Sequence, residues 1–146
     1  MATARKDPLR NFRFRIEIDG SSQATFSEAT IGETTTEAVD YREGTDSAHV
    51  RKLDGLTKYG NVVLKRGVTD SLEIYNWHKA IVDGKIQGNR KSVALVVQDE
   101  SGADKARFLV SEAWPMKYQV SGLNGKGNEV FIETLELVNE GIERQQ

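Results

Sequence analysis

The segment from Phe12 to Asp19 alternates apolar and charged side chains over eight residues, FRFRIEID. Because successive side chains of a β-strand point to opposite faces of a sheet, this period of two predicts a strand with one buried face. Such a strand needs a second layer of structure to cover its apolar face, so the chain is constrained to a layered β architecture. The residues expected to face the core are Phe12, Phe14, Ile16 and Ile18.

Further strand signals recur along the chain, as β-branched, aromatic or continuous apolar runs bounded by turn residues. They fall at about residues 23–31, 34–43, 61–67, 92–99, 105–113 and 129–139. Trp114-Pro115 is expected to break or kink the strand before it, because proline cannot donate to a sheet ladder. In the last strand the apolar positions change phase between Ile132 and Leu135, which indicates either a bulge or cover on both faces.

One segment predicts a helix, at about residues 71–82. Thr69 or Asp70 can cap its start, and Glu73 is placed for a capping-box-like contact. The residues on its apolar face are Ile74, Trp77 and Ile81.

Seven or eight strands and one helix predict a mainly β fold, a two-sheet β-sandwich or barrel-like domain with the helix on its flank. The length of 146 residues fits a single domain over residues 1–146, with enough chain to bury a core.

A long connection at about residues 44–60 has no predicted secondary structure and leads into the strand at 61–67. A compact domain seldom keeps so long a loop unless the loop has a function, and contact with another chain is the natural one. Its leucines also argue against a disordered linker. The residues in and beside this long connection that are expected to contact neighbours are Arg42, Glu43, Asp46, Arg51, Lys52, Leu53, Asp54, Leu56 and Lys58.

Composition excludes several classes of protein. The net charge of −2 gives no bulk attraction to nucleic acid or membrane, and the absence of cysteine excludes disulfides and thiolate zinc sites. No apolar run approaches the roughly 18–20 residues that span a bilayer. The first residues lack the apolar stretch of a signal peptide, so we expect synthesis in the bacterial cytoplasm.

No motif predicts a catalytic residue, a metal site or a cofactor. His49 and His78 lie in unrelated contexts without a second ligand at metal spacing. No Gly-x-Ser-x-Gly elbow occurs, although a small hydrolase with an unrecognised site stays an alternative. The run at 122–127 resembles a phosphate loop only superficially, since its glycine spacing is short and Gly127 stands where Ser or Thr would bind magnesium.

The strand at Phe12–Arg15 also permits a second hypothesis, a β-barrel that binds single-stranded nucleic acid through stacked rings and arginines. Alternation argues against it, because the rings and the guanidinium groups would lie on opposite faces.

The two ends of the chain carry opposite charge, with a surplus of arginine and lysine in residues 1–15 and of glutamate in residues 129–146. Two solvated strands would explain this, as would pairing between strands or between subunits.

The chain resembles the tail tube proteins of contractile phage tails, extracellular contractile injection systems and R-type bacteriocins. The family is related in fold to the haemolysin-coregulated protein of type VI secretion. The resemblance is collinear over nearly the whole chain. Its motifs are DPLRNFRF (7–14), VDYREG (39–44), KLDGLTKYG (52–60), LKRGVT (64–69) with Trp77, WP (114–115) with KY (117–118), and EVFIETLEL (129–137).

The resemblance implies a non-enzymatic subunit that closes into hexameric rings, which stack into a hollow tube. It implies a contractile sheath protein, baseplate or tube-initiator proteins and a tube terminator as partners, with DNA or a protein toxin as cargo in the lumen. It also implies that the long connection at about residues 44–60 reaches neighbouring subunits. Many relatives have Pro-Gly where this chain has Asp54-Gly55. Candidates for the lumen surface are Arg13, Arg15, Glu17 and Lys65.

Overall fold

The computed structural model describes residues 13–22, 26–44, 48, 50–122, 125 and 131–146. Within them lie ten strands and one helix. In chain order the elements are β1 (Phe14–Ile18), β2 (Ser21–Ser22), β3 (Glu28–Ile31), β4 (Thr34–Tyr41), β5 (Arg51–Tyr59), β6 (Val62–Gly67), α1 (Glu73–Val82), β7 (Lys91–Gln98), β8 (Asp104–Val120), β9 (Ile132–Val138) and β10 (Gly141–Arg144).

Eight strands form one antiparallel sheet that divides into two halves at β8. The order across the sheet is β2-β1-β7-β8-β9-β6-β3, and β10 also pairs with β8. The first half of β8 pairs with β7 and β10, while its second half, from Trp114 onwards, pairs with β9. Side chains from both halves join one apolar cluster. The predicted two-sheet β architecture with one helix is confirmed, as a sandwich and not as a closed barrel.

Strand β8 runs for 17 residues through the Trp114-Pro115 pair that was expected to interrupt it. The strand is therefore not broken there, but the expected irregularity is present as two shifts of the pairing register. A register shift lies between Pro115 and Lys117, where the missing N–H of Pro115 falls. A second lies opposite Lys91 and Val93, and there Glu112 adopts a left-handed φ of 52°.

The core follows the predicted alternation. Ile16 and Ile18 are buried and Phe14 is half-buried against the same cluster, whereas Phe12 lies outside the described residues. Strands β6 and β9 alternate strictly between buried and half-buried positions. The largest fully buried apolar side chains are Ile16, Leu64, Leu135, Leu137, Val62, Val93, Val96 and Val110.

Helix α1 begins at Glu73, two residues later than predicted, and packs on β8. Its N-cap is Leu72, which makes no side-chain capping bond, so the predicted cap at Thr69 or Asp70 is wrong. The hydroxyl of Thr69 instead accepts a hydrogen bond of 3.2 Å from the Ser71 N–H, within the turn that precedes the helix.

The apolar face of α1 is oriented as predicted. Ile74 and Trp77 are buried and Ile81 is half-buried. The indole N–H of Trp77 donates to the carbonyl of Asn89 at 2.7 Å, which fixes the helix against the connection to β7.

The segment predicted as a bare loop at 44–60 is largely a strand. Strand β5 covers residues 51–59 and pairs antiparallel with β4 in a separate two-stranded sheet, which we call the arm. The prediction was wrong because neither face of β5 is buried, so the sequence has no period-two pattern to mark it. Gly55 lies inside β5 and not in a turn; a β-carbon there would lie 3.0 Å from Val39.

The phase change in the last strand has another cause than a bulge. Strand β9 pairs with β6 without a register shift. Glu133 occupies the core row together with Leu135 and Leu137, while Ile132 is half-buried on the other face. The chain then turns at Asn139 into β10, a strand that the sequence did not predict.

Candidate assembly surfaces

The described residues contain no group of three His, Cys, Asp or Glu side chains that could hold a metal. His78 stacks on Tyr118 at a ring separation of 6.2 Å, and His49 lies outside the described residues. An open pocket of about 460 Å³ lies between α1 and the end of β1, lined by Trp77, Asp19 and Lys91 among others. His78 is not among the residues that line this pocket.

Within the described part of the chain, no helix has the length and apolar character needed to cross a bilayer.

The arm is the most exposed part of the described structure. Every residue of β4 is exposed, and in β5 only Gly55 is half-buried. The register sets Val39 opposite Leu53, each 47% exposed, and Tyr41 opposite Arg51. A two-stranded hairpin is at best marginally stable in water by itself. The arm therefore needs cover that the described part of its own chain does not provide.

The two faces of the arm differ in chemistry. Val39, Tyr41 and Leu53 share one face, which we call the apolar face of the arm. The other face carries an ion pair between Lys52 and Asp40. Near the base of the arm, Thr36 and Thr57 exchange a hydroxyl hydrogen bond of 2.9 Å across the strands. The alternation thus separates an apolar surface from a polar one on a single hairpin.

Two glycines form the base of the arm. A β-carbon on Gly32 would lie 2.6 Å from the Asn61 carbonyl oxygen, and one on Gly60 would lie 2.6 Å from the Glu33 nitrogen. The Gly60 N–H donates to the Glu33 carbonyl at 2.7 Å, so the two chain segments meet at this point. Only glycine permits so close a backbone approach. The arm consequently leaves the sandwich from a tightly closed joint.

Of the predicted arm contacts, the structure places Arg51, Lys52, Leu53, Asp54, Leu56 and Lys58 on β5. Arg42 and Glu43 follow β4, and Glu43 accepts a hydrogen bond of 2.6 Å from the Tyr41 hydroxyl. Asp46 lies outside the described residues.

The predicted lumen residues lie on two different surfaces. Arg15 and Glu17 project from the outer face of β1, where Arg15 donates to Glu17 and to Asp104 at 2.9 Å each. Lys65 lies on the outer face of β6, paired in register with Glu28 and Thr134 in the other half of the sandwich. The structure therefore does not bring the four candidates onto one surface.

Electrostatics on the outer face of β1 are balanced within the chain. The hydrogen bond from Arg15 holds the pKa of Glu17 below its ordinary value, with help from Arg107. The same guanidinium lowers the pKa of Asp104, and these two carboxylates raise the pKa of Arg15 in return. The Arg13 guanidinium donates to the Glu100 carbonyl at 3.0 Å.

This balance weakens the nucleic-acid hypothesis. Arg15 already binds two carboxylates, and Phe14 packs against the core on the opposite face of β1. A phosphate at Arg15 would have to displace both carboxylates.

The charge surplus at the two chain ends is not paired end to end within the described residues. The C-terminal Glu133 and Glu140 contact Arg66 and Arg90, not Arg13 or Arg15.

A buried ion pair, absent from the sequence predictions, connects the strands beneath α1. Arg66 is 2% exposed and donates from Nε to Glu133 at 2.5 Å, and the Tyr118 hydroxyl donates to the same carboxylate at 2.7 Å. Burial and the contact with Glu133 raise the pKa of Tyr118 to about 12. Among the described residues, Arg66 Nη2 has no hydrogen-bond partner. The sequence did contain a signal for this ion pair. Arg66 and Glu133 stand at positions where the alternation of their strands places core residues, and a buried charge needs a partner of opposite sign.

The outward side of α1 carries a second apolar row, which we call the outer stripe: Leu72, Tyr75 and Val82. They recur at helical spacing on the side away from Ile74 and Trp77. Leu72 is 60% exposed and Val82 is 68% exposed, and Tyr75 packs edge-on against Tyr118 at 5.7 Å.

Known structures share this fold. The chain is similar to a protein of the anti-feeding prophage cap (AFP tube terminating cap), with a TM-score of 0.84 at 22% identity, covering 100% of this chain and 96% of that one. It is also similar to a protein of the PVC sheath/tube terminator in the extended state, with a TM-score of 0.82 at 19% identity over 98% and 100% of the two chains.

A more distant likeness is to Hcp1 from Flavobacterium johnsoniae, with a TM-score of 0.56 at 16% identity, covering 90% of this chain and 94% of that one. No curated protein matches the chain. The family model of the T4-like virus tail tube protein gp19 matches residues 10–143. Since this match spans nearly all of the sequence, the chain belongs to the T4-like virus tail tube protein gp19 family.

Proposed function

We propose that this tail tube structural protein closes into hexameric rings, which stack into the hollow inner tube of a contractile tail or injection particle. The observation that carries the proposal is the arm. It is a hairpin exposed along both strands, it presents apolar side chains to solvent, and it leaves the sandwich at a closed glycine joint. Such a hairpin is stable when a neighbouring subunit covers it.

The partners proposed are a contractile sheath protein on the outside of the tube, with baseplate and terminator proteins at its ends. Support comes from the settings of similar chains, which include a PVC sheath–tube complex in the extended state and an anti-feeding prophage baseplate. DNA or a protein toxin would pass through the lumen. The subunit would act as a passive wall without catalysis, in line with its family.

We also propose that the lumen is lined either by the β1 surface with Arg13, Arg15 and Glu17 or by the β6 surface with Lys65. The two lie on outer faces of different halves of the sandwich, so we expect at most one of them to line the lumen. A charged surface whose ions are paired within the chain, as around Arg15, is hydrophilic without a strong field to hold cargo.

Negative-stain microscopy of the purified protein tests the central proposal. Rings or tubes with six-fold symmetry are expected as the protein concentration rises. Monodisperse monomers over all concentrations and salts would contradict it.

The lumen can be assigned on the same tubes, because the chain has no cysteine to interfere with labelling. Glu17→Cys and Lys65→Cys tubes would be treated with a small maleimide and with a bulky polymer maleimide. The lumen position should accept the small reagent and exclude the bulky one. Equal labelling of both positions by the bulky reagent would rule out both as lumen residues.

A further inference from the structure

The arm leaves the sandwich as the continuation of the β3–β6 pair. Ile31 pairs with Val62 in the sandwich and Thr34 pairs with Tyr59 in the arm, so one register runs through both without an inserted residue. Between these pairs each strand has only two residues, one of them a glycine. Beyond this joint the arm strands pack chiefly on each other. The direction of the arm therefore depends on the backbone of the joint, where glycine restricts rotation least.

A side chain of the sandwich holds the joint. The Nδ2 group of Asn139 donates to the Gly60 carbonyl at 3.0 Å, and Asn139 Oδ1 accepts from the Gly141 N–H at 3.2 Å. These two partners fix the orientation of the amide, because only its nitrogen donates and only its oxygen accepts. The neighbouring Asn61 donates to Glu136 of β9 at 3.0 Å. Hydrogen bonds from β9 and the turn after it thus tie the joint to the sandwich.

The bond from Asn139 stands where the ladder between β6 and β9 ends. The last pair of that ladder is Val62 with Leu137, and two residues further on the same register brings Gly60 opposite Asn139. There the Asn139 side chain supplies the donor to the Gly60 carbonyl. The Gly60 N–H donates to the Glu33 carbonyl at 2.7 Å, which closes the ladder of the arm. Gly60 is bonded to the arm by its N–H and to the sandwich by its carbonyl.

We infer that Asn139 is a positioning residue that sets the direction of the arm in the free subunit. Its bond to Gly60, which we call the latch, keeps the backbone from turning at the joint. An arm held in one direction before contact loses less conformational freedom on binding than an arm that moves. This consequence for assembly rests on the proposed function, whereas the direction of the arm in the free subunit does not.

Distances between two spin labels on the unassembled subunit test the latch. The chain has no cysteine, so Lys52→Cys on the arm and Lys105→Cys on β8 would carry the labels. The parent should show one narrow distribution of distances. Asn139→Asp should broaden it at least about twofold, because a carboxylate cannot donate to Gly60 but still accepts from Gly141. Since the turn into β10 keeps its acceptor, the broadening reports on the latch.

Asn89→Asp is the matched control. Asn89 lies in the connection between α1 and β7 and donates from Nδ2 to the Lys85 carbonyl at 2.6 Å. The same chemical change there should leave the distribution as narrow as that of the parent. Asn139→Ser is a second test, because its hydroxyl can accept from the N–H two residues on but is too short to reach Gly60. It should broaden the distribution as Asn139→Asp does, and thermal melting checks that each variant is folded.

Assembly provides the second readout. Asn139→Asp should raise the concentration at which tubes form by about threefold or more, since its arm must be ordered on binding. Asn89→Asp should leave that concentration unchanged.

The outcomes separate the latch from the proposed function. Distributions as narrow in both Asn139 variants as in the parent would overturn the latch and leave the proposed function intact. A broadened distribution with unchanged assembly would overturn the contribution of the latch to assembly. If the unmodified protein forms no rings or tubes, the proposed function fails, while the label distances still decide the latch.

Discussion

The sandwich and the arm differ in how their side chains are buried. In the sandwich, β6 alternates buried Val62, Leu64 and Arg66 with half-buried neighbours, and its partner β9 does the same. In the arm, β4 is exposed at all eight of its positions. The sandwich satisfies its own apolar surface, whereas the arm presents apolar side chains with no described layer over them. The difference supports the proposal that the sandwich is the folding unit and that the arm is covered by a neighbouring subunit.

Removal of the arm should give the largest effect, on assembly and not on folding. Replacing residues 34–59 by a short Gly-Ser linker is feasible because Glu33 and Gly60 already meet through a 2.7 Å hydrogen bond. Rings and tubes should disappear under the microscope, while circular dichroism retains a cooperative melting transition. Loss of that transition would mean that the arm is part of the folding unit.

The buried ion pair should be the most sensitive point of the sandwich. Arg66→Met leaves Glu133 buried without its cation, which should lower the free energy of unfolding by about 3–5 kcal/mol. Adding Glu133→Leu should restore much of this loss, because the uncompensated charge is then gone. Urea denaturation measures both variants. Equal losses in the single and double variants would show that the pair contributes through packing alone.

Two leucines on neighbouring elements give a matched test of the comparison. Leu64 is 0% exposed in β6 and Leu56 is 70% exposed in β5. Leu64→Ala should lower the free energy of unfolding of the monomer by about 2–5 kcal/mol. Leu56→Ala should lower it by about 0.5 kcal/mol or less. Similar losses measured by urea denaturation would contradict the division between a folding body and an associating arm.

The smallest effect concerns the charged outer face of β1. Hydrogen bonds from Arg15 depress the pKa values of Glu17 and Asp104, whose ordinary values are 4.5 and 3.8. Because the folded-state pKa values are the lower ones, these carboxylates contribute their full stability above pH 4.5 and lose it as the pH falls through the depressed values.

The urea midpoint should therefore fall with acidification below that range. A variant with Glu17→Gln and Asp104→Asn should lose part of this pH dependence, whereas Asp70→Asn, which lies away from Arg15, should keep it. An identical pH profile in the double variant and the parent would remove these two groups as its cause.

The sandwich could be predicted from sequence where burial is one-sided. The period of two in Phe14, Ile16 and Ile18 exists because one face of β1 meets the core, and the helical face of Ile74 and Trp77 exists for the same reason. Strand β5 could not be predicted this way, since no burial imposes a pattern on it.

The continuity of β8 through Pro115 and the phase change in β9 have physical causes that a sequence pattern does not reveal. Pro115 is tolerated inside β8 because a register shift beside it removes the need for its N–H. Glu133 interrupts the apolar alternation of β9 although it points into the core. It can be buried there because Arg66, from a strand distant in sequence, pairs with its carboxylate. The sequence could not predict that the lumen candidates lie on two different surfaces, because this depends on the strand order, which places β1 and β6 in different halves.

The pairing of β1 with β7 has a consequence for the time course of synthesis. Ile16 lies opposite Leu95, about 80 residues later in the chain. At the roughly 5–20 residues per second of translation, β1 leaves the ribosome about 4 to 16 seconds before the strand that pairs with it. During that interval β1 can pair with the short β2, but its other backbone edge has no native partner. The nascent chain is thus most vulnerable to aggregation before β7 is made, and β1 is where a protecting chaperone would be needed first.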